Sequence, residues 1–241
     1  MPNENYFLHK ISPRPHLSFS QILKIGNLDP YGQHQSLWKL FDLPRQEKKE
    51  KADFLFRFEI DKQNKLPLFY VLSCKQTPRD QSDLWNIESK KYNPDIKQGD
   101  RLAFNVRVNP VITKKPVEPD PNPKKRKRHD IVMEAKSRLK NEGIPKGRWP
   151  HINQIIHKAG IEWLKVRAEK NGFIFSDGEE VRVEGYQAHK FIRKGDKASF
   201  SSLDFVGTLS VTNPDLFKEV LFKGLGSAKS FGCGLMLVKR V

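Results

Sequence analysis

The stretch DPYGQHQSLWKLF, residues 29 to 41, carries a phenol and an imidazole three residues apart, Tyr31 and His34. On an α-helix that spacing puts both on one face, and Trp38 follows His34 by four residues on the same stripe. Asp29 suits an N-cap and Pro30 the first helical position, while Leu37, Trp38, Leu40 and Phe41 form an apolar arc. His34 is therefore expected where a buried arc meets the open first turn. An imidazole there has two readings: a core histidine with a satisfied ring, or a proton-transfer group active near neutral pH. RNA cleavage by an internal nucleophile needs such a group. The 2′-OH attacks the adjacent phosphate and leaves a 2′,3′-cyclic phosphate and a 5′-OH, without a metal. A cation or hydrogen-bond donor must then stabilise the phosphorane.

A second stretch, GLGSAKSFGCG at residues 224 to 234, places Gly224, Gly226, Gly232 and Gly234 around Ser227, Lys229 and Ser230. Glycines let backbone amides approach an anion, and Lys229 supplies a counter-charge; the alternative is a plain turn between helix and strand. It is not a nucleotide P-loop, which runs from strand to helix with its lysine next to Ser or Thr. A third stretch, Lys124, Lys125, Arg126, Lys127 and Arg128, is either a solvated charge run or a contact to a phosphate backbone. Seven histidines and two cysteines show no CxxC or HExxH spacing, so no metal and no cofactor is expected.

Composition narrows the partner. Lys plus Arg outnumber Asp plus Glu by 44 to 28, a net charge of +16, which points to a polyanion and first to nucleic acid. No apolar run approaches the ~20 residues of a membrane span, and MPNENYFLHKIS lacks the apolar core of a secretion signal. With two distant cysteines, Cys74 and Cys233, a reducing cytoplasmic location is expected.

The elements that must position these residues follow from periodicity. YFLHKI, DFLFRFEI, LPLFYVLSCK and RLAFNVRVNP read as strands, with Phe54, Phe56 and Phe58 alternating as on a half-buried strand. Residues 12 to 28 read as a loop with at most one helical turn, and 80 to 97 as a short helical or irregular piece. The proline-rich basic segment 111 to 130 reads as a domain boundary. Beyond it come two helices, strands from FIFSDGEEVRVEGYQAHKFIR and SLDFVGTLSVT, a helix capped by Asn213, and a closing strand GCGLMLVKRV. The first half has the split βαβ order, which gives an α+β fold class.

Tyr31-x-x-His34-Gln35 with Leu37-Trp38-x-Leu40-Phe41, then Arg107-x-Asn109-Pro110, then GLGSAKSFGCGLMLV together resemble the CasE family. These are the CRISPR repeat-processing endoribonucleases that serve as a subunit of type I-E Cascade complexes. The resemblance implies two tandem ferredoxin-like (RRM-like) domains joined by a basic linker: 1–110 with the catalytic helix, the linker 111–130, and 131–241 with the glycine-rich loop. It implies metal-independent cleavage of precursor CRISPR RNA at the base of the repeat hairpin, with the enzyme staying on its product. The expected partners are the hairpin, the crRNA and other Cascade subunits, and no membrane. His34 and Tyr31 map to the family's catalytic histidine and tyrosine, and Lys229 to the lysine of its loop. Arg107, the basic run and Gly224, Gly226, Ser227, Ser230, Gly232 and Gly234 are the expected RNA contacts. A reading of different class is an RNA-binding structural subunit with little turnover.

Overall fold

Alternating and aromatic-rich segments form β1 (Tyr6–Pro13), β2 (Phe54–Ile60) and β3 (Pro67–Cys74). Together with β4 (Trp85–Lys91) they build an antiparallel sheet in the order β2-β3-β1-β4. The structure is a computed structural model and describes residues 5–41, 54–74, 77–113, 128–175, 181–193 and 195–241. Two short helices, α1 (Phe19–Gly26) and α2 (Pro30–Trp38), cover one face, where Ile25, Leu37 and Leu40 pack with Ile11, Phe56, Phe69 and Trp85. On the other face Leu55 and Leu72 meet Leu235 from the second half, and Tyr6 stacks on Phe222 with ring centroids 4.3 Å apart.

The second sheet runs β11 (Met236–Arg240), β5 (Arg101–Val108), β10 (Asp196–Val211), β8 (Phe173–Ile174). A further strand, β9 (Arg182–Arg193), pairs with the first part of β10 as a long hairpin. The helices α3 (Ile131–Asn141), α4 (Ile152–Lys170) and α5 (Pro214–Lys223) close its core, with Trp163, Leu164, Phe173, Phe205 and Phe217 at the centre. A small ribbon of β6 (Val111–Thr113) and β7 (Arg128–Asp130) joins the ends of the segment expected as a linker. Lys124, Lys125, Arg126 and Lys127 lie outside the described residues. No described helix is long and apolar enough to cross a membrane.

Several expectations change. Residues 85–91 form a strand rather than a helical piece: β4 is an edge strand, so only Trp85 and Ile87 carry an inward pattern, too short to reveal period 2. Residues 12–28 contain a two-turn helix, because Ser18 and Gln21 build a capping box. The strand expected over 101–110 forms, but its ladders run to β10 and β11 and not to the first sheet. The half-buried reading of β2 also fails. Phe54 and Phe56 face the helices while Leu55 and Arg57 face the second half, so all four are buried.

His9 sits in the middle of the first sheet with no exposed surface. Its Nδ1 lies 2.8 Å from the Ser89 hydroxyl and its Nε2 2.9 Å from the Ser73 hydroxyl, tying β4, β1 and β3 together. Burial lowers its pKa from 6.5 to about 4. The unfolded chain therefore binds this proton more tightly, so His9 withdraws stability as pH falls from about 6.5 towards 4. We expect a loss of about 3 kcal/mol across that window, partly abolished in His9→Gln, when the urea midpoint is followed against pH. A midpoint equally pH-dependent in both proteins would assign the effect to other groups.

Candidate active site

The catalytic helix expected from sequence forms because its first turn is capped twice. The Asp29 carboxylate accepts from the Gly32 amide at 2.7 Å, and Gln33 Nε2 donates to the Leu28 carbonyl at 3.0 Å. Leu37 is fully buried and locks the far end. His34 then lies against aromatic rings: Phe54 stacked at 5.4 Å, Trp38 at 5.6 Å and Phe56 at 6.2 Å between centroids. Its Nε2 is buried and has no hydrogen-bond partner among the described residues. Burial first, and then the positive charge of Arg193, lower its pKa from 6.5 and so favour the neutral ring. Tyr31 stands one turn earlier, half-buried, its hydroxyl without a hydrogen bond among the described residues.

The glycine-rich loop is held against this helix. Its two ends close on each other through Leu225 N–H to the Gly234 carbonyl at 2.9 Å. Gly234 N–H donates to the Arg107 carbonyl at 2.7 Å, and Asn109 Nδ2 donates to the Ser227 hydroxyl at 3.2 Å. The Arg107-x-Asn109 block and the loop, far apart in sequence, are thus one structure. Between them a single 3-10 turn, Lys229–Phe231, is bounded by left-handed residues Ala228 and Gly232 and packs on α2 and β2. A Cβ on Gly232 would come within 3.3 Å of the Phe56 ring, so the turn sits on the aromatic cluster beneath His34. Ser230 is exposed on this turn. Phe231 packs on Phe191 and Phe200 of the β9–β10 hairpin at 5.0 and 5.4 Å, and the Arg193 guanidinium lies 5.8 Å from its ring centre.

Two expected contacts are occupied within the protein. Lys229 Nζ donates to the Lys223 carbonyl at the end of α5, so its ammonium helps close the loop. Arg107 donates from Nε and Nη2 to the two Asp204 carboxylate oxygens, each at 2.8 Å, and from Nη1 to the Phe58 carbonyl at 3.2 Å. It joins the two sheets, which no one-dimensional pattern could announce. Arg128, the described member of the basic run, opens β7 and lines a cleft of about 930 Å³ with Lys190, Arg193, Phe200 and Phe231. Arg193, Lys190 and Phe231 escaped the sequence reading. The one signal for Arg193 was its alternation with His189 and Phe191, which puts these three on one face of β9. His189 is stacked on Phe200 at 4.5 Å and bonded through Nε2 to the Ser202 hydroxyl at 2.8 Å, so its ring is anchored. Among the described residues no three of His, Cys, Asp and Glu are grouped to hold a metal ion.

A family model described as CRISPR associated protein matches residues 6–240. The chain is 26% identical over 223 residues to the CRISPR system Cascade subunit CasE of Escherichia coli, covering 92% of this chain and 97% of that protein. It is 25% identical over 222 residues to the CRISPR-associated endoribonuclease Cse3 of Thermus thermophilus, covering 87% and 90%. A solved structure of the CRISPR endoribonuclease Cse3 bound to a 19-nucleotide RNA superposes with a TM-score of 0.67 at 22% identity, over 97% of this chain and 99% of that one.

The loop makes a graded prediction. Gly224 has φ 76 and ψ 151, a region that is essentially glycine's alone, and a Cβ there would sit 2.9 Å from Leu55. Gly226 has φ 81, but its Cβ would meet nothing nearer than 3.7 Å. Gly224→Ala should therefore lower unfolding free energy by more than Gly226→Ala, which carries the ~1–3 kcal/mol of backbone strain alone. Urea denaturation of both variants decides it; equal losses would show that the space around Gly224 relaxes freely.

Proposed function

The chain belongs to the CRISPR-associated protein family, and from that membership and the site geometry we propose that it is a metal-independent endoribonuclease. Its substrate on this reading is precursor CRISPR RNA, cut at the base of the repeat hairpin, and the crRNA product stays bound. The observation that carries the proposal is His34: a neutral, half-buried imidazole with an unpartnered Nε2, under the influence of Arg193, which lines a basic cleft. The ring accepts the proton of the 2′-OH as the 2′-oxygen bonds to phosphorus. The bond from phosphorus to the 5′-oxygen breaks, that oxygen takes up a proton, and a 2′,3′-cyclic phosphate and a 5′-OH remain. The Tyr31 hydroxyl orients the phosphate. The charge over the phosphorane comes from Arg193 and the loop amides around Ser227, Ser230 and Gly232. Lys229, bonded to Lys223, shapes the loop, and Arg107 positions it; both act through the loop's geometry.

The strand orders support a finer reading of the fold. With the hairpin strand β9 set aside, the strands of each sheet counted in chain order run fourth-first-third-second and antiparallel, the ferredoxin-like order: β4-β1-β3-β2 and β11-β5-β10-β8. We assign β5 to the second unit and place the boundary between β4 and β5. The first unit lacks its second helix, since the described residues 77–84 are not helical. Like the E. coli relative, the protein is assigned to a Cascade assembly, acting in the cytoplasm with the other subunits and the repeat hairpin as partners.

His34→Ala should slow single-turnover cleavage of a repeat hairpin by ~10²–10⁴-fold with little change in hairpin affinity. Tyr31→Phe should lose less. Cleavage should persist in EDTA, leave a cyclic phosphate, and stop when the scissile nucleotide is 2′-deoxy. Because burial and Arg193 hold the His34 pKa below 6.5, the base stays neutral on mild acidification, and the acid limb of the rate profile should fall below that value. Arg193→Ala should move that limb upward and slow the plateau rate. Cleavage by His34→Ala at the wild-type rate, with hairpin binding intact, would leave an RNA-binding subunit whose nuclease centre lies elsewhere.

A further inference from the structure

A groove outside the candidate site carries chemistry that the reaction does not use. On α3, Met133, Lys136, Ser137 and Lys140 follow the i, i+3, i+4, i+7 spacing of one helical face and line one wall. The opposite wall is Lys146, Trp149, Pro150 and Ile152, and the space between them is about 600 Å³. Its floor is apolar and open: Met133 is 58% exposed and Ile152 37%. Trp149 spends its indole N–H on the Ile144 carbonyl at 2.8 Å, which fixes the ring and leaves its remaining edge and face for contact. Among the described residues no acidic one lines the groove, and none of Lys136, Lys140 and Lys146 is ion-paired.

An exposed apolar floor between unpaired cations matches one ligand chemistry: a chain with flat hydrophobic groups and regularly spaced anionic charge. Met133 lines both this groove and the cleft that holds Arg193 and Phe231, so the groove borders the candidate site. The α3 wall is about 16 Å long, and an apolar floor with an aromatic ring suits unpaired bases, whereas a duplex keeps its bases stacked inside. We propose that the groove between α3 and the start of α4 binds single-stranded RNA that flanks the hairpin, with phosphates on Lys136, Lys140 and Lys146 and bases on Met133 and Trp149. The proposal rests on the endoribonuclease reading and extends it from the scissile phosphate to the strand beyond.

The test compares the full-length protein on three RNAs by fluorescence anisotropy: a blunt repeat hairpin, and the same hairpin with a short single-stranded 5′ or 3′ extension. Wild type should bind one extended RNA about tenfold more tightly than the blunt one, the gain of a base stacked on an aromatic platform. Lys136→Gln, Lys140→Gln and Lys146→Gln combined should erase that increment while blunt-hairpin affinity and cleavage change by less than about twofold. Met133→Ser, which keeps every charge, should remove part of it. No increment from either extension in wild type would overturn the proposal, as would a loss shared equally by blunt and extended RNA, which would make the lysines duplex contacts. An intact increment, with the three lysines instead required to retain an acidic protein partner, would give the groove to that partner. If no hairpin binds at all, the endoribonuclease reading itself fails.

Discussion

The ion pair between Arg107 and Asp204 is the joint on which the arrangement depends. Both residues belong to the second sheet, yet the same guanidinium reaches the Phe58 carbonyl of the first. From the first sheet Arg57, nearly fully buried, bonds Glu59 at 2.6 Å and comes within 3.9 Å of the same Asp204 carboxylate. Charges this dry are tolerated only when paired, and stripping one partner from such a network costs about 3–5 kcal/mol. The network therefore holds β2 against the second sheet. Since α2 rides on β2, that seating also sets the distance from His34 to β9 and to the glycine-rich turn.

On the proposed function, what makes His34 useful is also what makes it costly. The rings of Phe54, Phe56 and Trp38 hold the imidazole in one place, as proton transfer demands. The same rings desolvate it and lower its basicity, and they leave Nε2 unpartnered at a cost of about 1–3 kcal/mol. His9 has two serine partners and His189 one, whereas His34 Nε2 has none among the described residues. The contrast between these three imidazoles of one chain separates the positioning histidines from the one left with an unused nitrogen.

The rim of the cleft is anchored by similar economy. The Val111 carbonyl accepts both the Trp163 indole N–H at 3.0 Å and an Arg167 N–H at 2.9 Å, and the Arg167 guanidinium lies 3.7 Å over the Trp163 ring. This pins β6, and β7 through it, so Arg128 sits at the edge of the cleft. On the other side of β7, Asp130 caps α3 while accepting from the Tyr186 hydroxyl and from Ser201. Val111 and Arg128, at the ends of β6 and β7, are thus held at the cleft beside Arg193 and Phe231.

Local chemistry was legible in the sequence wherever it is a matter of neighbours in the chain. The α2 cap, the stripe shared by His34 and Trp38, the strands at β1, β2, β3 and β5, the Asn213-capped helix and the α+β class all follow from periodicity and capping, which act over a few residues. Partnership across the chain was not legible. That Leu55 and Arg57 face a second layer, that β5 pairs with β10 and β11, and that β4 is a strand at all depend on which surface each segment meets. The same holds for the charges. A lysine and an arginine look equally free in one dimension, but tertiary structure directs Lys229 to a helix end and Arg107 to a carboxylate, and brings Arg193 to His34 from about 160 positions away. A cation's role is set by the nearest unsatisfied acceptor, and only the folded chain decides which acceptor that is.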